Sequence, residues 1–180
     1  DSLKKRAAYY KLDIQRLTAE LTNAPFTPEE DPDLESHDLS AELALYQSRT
    51  NDYKTQLKSR QSVIDQKKAQ LEASRATYER YAEGLRIAQE KERRLTELMQ
   101  LNAISAFQLL EQQNQTIEYS KSAQAQLDSI NSIQAEIAEA EQNLANVDAA
   151  YRKDIMTALV EAKKEYYSVT EAIKKADEDS

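Results

Sequence analysis

Residues Leu95 to Leu110 read LTELMQLNAISAFQLL, and this stretch decides the fold, because the helical pattern that runs on both sides of it is broken across Leu101 to Ser105. Ser105, followed three residues later by Gln108, has the spacing at which two side chains satisfy each other's backbone N–H groups at a helix start. A helix is therefore expected to end near Leu101, the chain to reverse across residues 102–105, and a new helix to begin at 106. Ten of the sixteen residues are apolar. The end of a two-helix hairpin has little core to fill, so part of this surface is expected to stay exposed and to meet a partner.

Upstream, Leu43, Thr50, Leu57, Ile64, Leu71, Tyr78, Leu85, Glu92 and Met99 lie seven apart, and seven of the nine are apolar. A second series, from Leu39 through Tyr46, Tyr53, Arg60, Lys67, Ser74, Tyr81 and Ala88 to Leu95, is offset by four and only partly apolar. Together they make the 4-3 seam of a coiled coil. At about 1.5 Å per residue, a helix over residues 39–101 would be on the order of 95 Å long. Downstream, Leu109, Ile130, Ile137, Leu144 and Tyr151 share one seven-residue series, with Leu127, Ile133 and Val147 beside it, and the register slips near Tyr151 and Ile155. Reversal near Ala103 would set Tyr78 and Tyr81 against Ala123, Ala125 and Leu127, and Gly84 against Ser120–Ala123, where close helix approach would explain the glycine.

All three prolines, Pro25, Pro28 and Pro32, fall within Asn23–Asp38 together with Glu29, Glu30, Asp31, Asp33 and Glu35. Proline removes a backbone donor and breaks helices, so this stretch is read as a loop. Before it, Leu3, Ala7, Tyr10, Ile14, Leu17 and Leu21 recur at spacings of three and four, the mark of a short amphipathic helix. The expected class is all-α: a long antiparallel two-helix coiled-coil hairpin, with an additional short N-terminal helix joined by the Pro-rich loop. The expected single domain, 1–180, divides into a first helix 2–22, an acidic loop 23–38, an ascending helix 39–101, a tip turn 102–105 and a return helix 106–177.

Composition agrees. One Gly and three Pro in 180 residues leave little turn material, and 31% charged residues with a mean hydropathy of -0.80 fit long helices. A net charge of -8 opposes binding to nucleic acid, which needs clustered Lys and Arg. No apolar run reaches the roughly 18–20 residues that span a bilayer. The chain has no Cys. Its only histidine, His37, has no Cys or second His to complete a metal site, lies in the acidic loop and is read as sitting at the start of the ascending helix beside Asp38. Asp31, Asp33 and Glu35 alternate but lack the glycine and remaining ligands of a calcium loop. No phosphate loop, nucleophile elbow or convergent acid and base is present. No catalytic residue, cofactor or metal is therefore expected. The tyrosines Tyr9, Tyr10, Tyr46, Tyr53, Tyr78, Tyr81, Tyr151, Tyr166 and Tyr167 lie mostly on or beside the seams, where a ring can be buried and a hydroxyl kept wet.

At the reversal point, Arg94, Leu98 and Ser105 have the spacing R-x3-L-x6-S. Here the sequence resembles the tip motif of membrane fusion proteins, the periplasmic adaptors of TolC-dependent systems. The short helix, the loop NAPFTPEEDP, the long ascending helix, the longer return helix and the segment YRKDIMTALVEAKKEYYSVTEAIKKADED are similar to the hemolysin-D family, in its type I secretion branch. The resemblance implies that Arg94 makes a polar or ionic contact with a TolC-type outer-membrane channel, Leu98 an apolar one, and Ser105 a cap or hydrogen bond. Leu101, Asn102, Ala103 and Ile104 would support the tip. It further implies a periplasmic location, with the full-length protein anchored in the inner membrane, an inner-membrane ABC transporter engaged through domains outside this stretch, and assembly into a hexameric ring. Two other readings stand beside it: a general coiled-coil scaffold or structural rod, and the hairpin of a multidrug-efflux adaptor.

Overall fold

The computed structural model describes all 180 residues as three α-helices and no strand: α1 (Ser2–Leu21), α2 (Ser36–Gln100) and α3 (Ala106–Glu178). The chain adopts the expected class, a long antiparallel helical hairpin with a short leading helix. No helix is long and apolar enough to cross a membrane. Contacts divide the chain into two units, residues 1–60 with 143–180 and residues 61–142.

In the first unit, α1 starts where the Asp1 carboxylate accepts from the Leu3 and Lys4 backbone N–H groups. It ends at Asn23, whose φ of 53° lies in the left-handed region. The Ala24 N–H then bonds the Ala19 carbonyl at 2.9 Å and the Asn23 N–H bonds that of Glu20 at 3.4 Å, the paired bonds that close a helix C-terminus. The Pro-rich segment returns along α1 as an extended strap. Phe26 is buried in a cluster with Leu12 and Ala19, against which Leu34, Leu39 and Tyr46 pack. The Tyr46 hydroxyl donates to the Ala24 carbonyl at 2.7 Å. Lys11 pairs with Glu29 at 3.4 Å and Lys5 with Glu35 at 3.6 Å. Because the strap runs backwards, α1 and α2 lie parallel, and Arg16 reaches Glu42 while Glu20 reaches Arg49.

α2 begins at Ser36, three residues before the expected start at 39. The Asp31 side chain accepts from the Asp33 N–H and its carbonyl from the Leu34 N–H, which completes the turn early. No proline follows Pro32 to withhold a donor, so the Asp38 and Leu39 N–H groups both bond Glu35 and the helix starts.

Ile155 is fully buried, packed in a cluster with Leu17 and Ala162 and flanked by Ile14, Leu21, Tyr151 and Leu159. Ile155, Ala162 and Val169 are buried seven apart. The slip read near Tyr151 is thus the point where α3 turns a new stripe inward to receive α1. Leu43, expected on the α2 seam, is exposed, because α2 here presents Leu39, Glu42 and Tyr46 to α1 and the strap. Tyr9 and Tyr167 are exposed as well, which corrects their placement on the seams.

The second unit is a pair of antiparallel helix segments with a thin core of Ile64, Leu71, Ala88, Ala123, Ile130 and Ala140. Gln112 is buried and donates from Nε2 to the Ala88 carbonyl, and Lys67 pairs with Glu136 across the seam. Gly84 meets Tyr119 rather than Ser120–Ala123. A Cβ at Gly84 would lie within 2.7 Å of Tyr119 Cδ1. The roughly 1 kcal/mol that a glycine costs inside a helix is accepted in exchange for room to seat this ring.

Candidate functional site

The reversal is a tightly bonded turn. α2 closes at Asn102, whose φ is 59°. Its N–H bonds the Met99 carbonyl at 2.9 Å, and the Ala103 N–H bonds that of Leu98 at 2.8 Å. This is the closure used at Asn23, and asparagine suits it because it tolerates the left-handed region better than other residues with a side chain. α3 opens with the expected reciprocal cap: the Gln108 N–H donates to Ser105 Oγ at 3.3 Å, and the Ser105 N–H donates to Gln108 Oε1 at 3.2 Å.

With the helix ends capped by the turn itself, its apolar side chains are left outside. Leu101 is 76% exposed, Phe107 66% and Leu110 53%, while Leu98 and Met99 are about 40% exposed. Ile104 is half-buried. Arg94 lies one helical turn before Leu98, on the same face. Its Nε donates to Glu90 at 3.1 Å, and Arg93 Nη2 donates to the same carboxylate at 2.8 Å. Hydrogen bonds from Arg93 and Arg94 hold the Glu90 carboxyl down to about 2. Arg94 therefore offers a solvent-facing cation already oriented by its neighbour. The fold brings Arg94, Leu98 and the turn Leu101–Ile104 to one end of the hairpin. Ser105 is committed to capping. Phe107 and Leu110, which the three-residue spacing does not mark, are more exposed than Leu98, and only the apolar richness of residues 95–110 signals them.

A second polar constellation lies in the first unit. Arg16 is buried and contacts Asp13 at 3.0 Å through Nη2, Glu42 at 2.6 Å through Nε, and Glu20 through Nη1. Glu20, its side chain wholly enclosed, also accepts from Arg49 Nε at 2.8 Å and from the Tyr151 hydroxyl at 2.9 Å. Burial pulls the Arg16 pKa down, but its hydrogen bond to Glu42 and the surrounding carboxylates leave it raised. Tyr151 stacks on Tyr53 with ring centroids 4.0 Å apart and planes 8° from parallel, and the Tyr53 hydroxyl donates to Asp148. This network joins α1, α2 and α3. Sequence spacing did not show it, since the contacts that join one helix to another link residues 26 to 131 positions apart.

The bond to Asp148, with burial second, pushes the Tyr53 phenol up to about 12. A folded-state pKa above the unfolded value of about 10 means that the native state holds a proton the unfolded chain has lost. The stability this contributes is complete below pH ~10 and disappears as pH rises toward 12. Tyr9 and Tyr151 are raised as well, so a phenolate absorbance titration is expected to show a late step that Tyr53→Phe reduces in amplitude without abolishing. A titration unchanged by that substitution would count against the bond.

At the start of α2, His37 contacts Glu35 at 3.3 Å through Nδ1 and Asp38 at 3.2 Å through Nε2. The imidazole is exposed in the first turn of the helix, with both ring nitrogens directed at neighbouring carboxylates.

Compared with known proteins, residues 1–179 match the model of the family described as AprE, long alpha-helical hairpin. No curated protein matches the chain in sequence. Among solved structures, the soluble domain of LipC, a membrane fusion protein of a type I secretion system, is similar with a TM-score of 0.90 at 19% identity. That match covers 99% of this chain and 87% of the LipC chain. At that identity the likeness concerns the fold.

Proposed function

We propose, because this chain belongs to the AprE family of long α-helical hairpins, that it is the hairpin arm of a type I secretion adaptor and that its tip docks onto a TolC-type outer-membrane channel. The observation that carries this reading is the apolar surface left outside a fully capped turn: Leu101, Phe107 and Leu110 are each more than half exposed, with Arg94 beside them. An exposed apolar cluster with a charged rim has the character of a docking face. The fold shared with the LipC soluble domain supports the same role.

In this reading Leu98, Leu101 and Phe107 supply the desolvated contact, Arg94 a rim cation, and Asn102 and Ser105 the rigidity of the turn. The arm is non-catalytic and works in the periplasm. Domains beyond this stretch anchor it in the inner membrane and engage an ABC transporter, and copies assemble as a hexameric ring. Site-specific crosslinking in cells tests the docking: full-length adaptor carrying cysteine at Ala103, with Gln66→Cys as control, is probed for capture of the outer-membrane channel. A crosslink from Ala103 alone is the expected result. Equal capture from Gln66, or capture only of other copies of the adaptor, would overturn tip docking.

A further inference from the structure

The ionic knot in the first unit has an uneven charge count. Asp13, Glu20 and Glu42 contribute three carboxylates, and Arg16 and Arg49 two guanidinium groups. Glu42 and Glu20 are buried and Asp13 is half-buried, so the surplus negative charge is poorly hydrated. Asp13 and Glu42, from α1 and α2, bind two nitrogens of the same guanidinium, which forces their oxygens together. Two carboxylates held that close are stable when they share one proton, as a carboxyl–carboxylate hydrogen bond.

We infer that the contact between α1 and α2 is a proton-binding clasp, in which one proton taken up by Glu42 bridges to Asp13 and tightens the hold of α1 on the hairpin. Two groups of α1 act on Glu42 in opposite directions: Asp13 works with burial, and Arg16, the one cation bonded to it, works against both. The Tyr9 phenol of α1 lies beside the same groups and feels Asp13, Glu42, Arg16 and, from α2, Asp38. α3 reaches the knot through Tyr151, whose neutral hydroxyl bonds Glu20 and whose ring lies under the Arg49 guanidinium, 5.6 Å from the ring centroid. Burial above all, together with the nearby Asp13, raises the Glu42 carboxyl despite its bond to Arg16. A raised folded-state value means that this group's contribution is complete below the unfolded carboxyl value and is lost as pH rises through the folded one. Mild acid therefore strengthens the clasp, the opposite of the usual salt-bridged carboxylate.

The test uses the 180-residue chain. Carbon-detected carboxyl titration by NMR is expected to place the Glu42 midpoint above that of the same residue in an unfolded peptide spanning its neighbours. A midpoint at or below the peptide's overturns the proposal, and this readout needs no variant to fold. Glu42→Gln imitates the protonated state. It is expected to raise the folded-to-unfolded ratio severalfold at neutral pH, with the advantage over wild type fading as pH falls toward the carboxyl range. A Gln variant that is less stable than wild type at every pH, or whose advantage does not change with pH, would equally overturn it.

Discussion

Leu98→Asp is expected to leave the helical circular dichroism of the chain unchanged and to abolish export by the full-length adaptor. Leu98 is about 40% exposed on the last full turn of α2, so an aspartate there is solvated in the free hairpin and strains nothing. Its carbonyl, not its side chain, holds the turn by accepting from the Ala103 N–H. In the proposed complex the same side chain must leave water. Burying a carboxylate without a partner costs on the order of 3 kcal/mol or more, which weakens docking by roughly a hundredfold or greater. Secretion at normal levels by a correctly folded Leu98→Asp adaptor would exclude Leu98 from the docking face. Phe107→Asp should behave alike if the face extends onto α3, because Phe107 is the more exposed of the two.

The largest loss of stability is expected from Glu20→Ala. The Glu20 side chain is fully enclosed and accepts from Arg16, Arg49 and the Tyr151 hydroxyl, so one truncation breaks links from α1 to both other helices. Removing one partner of a buried ion pair costs about 3–5 kcal/mol, chiefly because the remaining charge stays buried without its counterion. Arg16 keeps Asp13 and Glu42, and Arg49 is partly exposed, which places the effect toward the lower end of that range. Amide exchange should show α1 and the strap losing protection, with thermal unfolding at a lower temperature. Glu20→Gln, which keeps the acceptor oxygen and the packing, should cost less. A loss below about 1 kcal/mol for Glu20→Ala would mean that the knot is as weak as an exposed pair.

These two sites differ in how far local pattern could disclose them. The tip was legible because its determinants sit within sixteen residues of one another: the interruption of the helical pattern, the Ser105–Gln108 cap and the excess of apolar side chains. The left-handed asparagines at 23 and 102 were equally local, yet went unread as helix closures, since nothing in composition separates an asparagine that ends a helix from one exposed along it. The knot around Arg16 and Glu20 could not be read, because in sequence these are two charged residues on an amphipathic helix, and such residues ordinarily face water.

The sequence by itself determined the two long helices, through a seven-residue apolar period kept up on either side of the reversal. It also determined the place of that reversal and the break at the three prolines, since each depends on backbone sterics or hydrogen bonds within a few residues. Only the tertiary structure decided that the strap runs back so that α1 lies parallel to α2, and that α3 changes its buried stripe at Ile155 to receive it. It also decided that Gly84 makes room for Tyr119 and that three carboxylates close on two arginines. The physical reason is distance along the chain: the contacts between helices join residues tens of positions apart, and their energies come from burial and pairing, which no local period encodes.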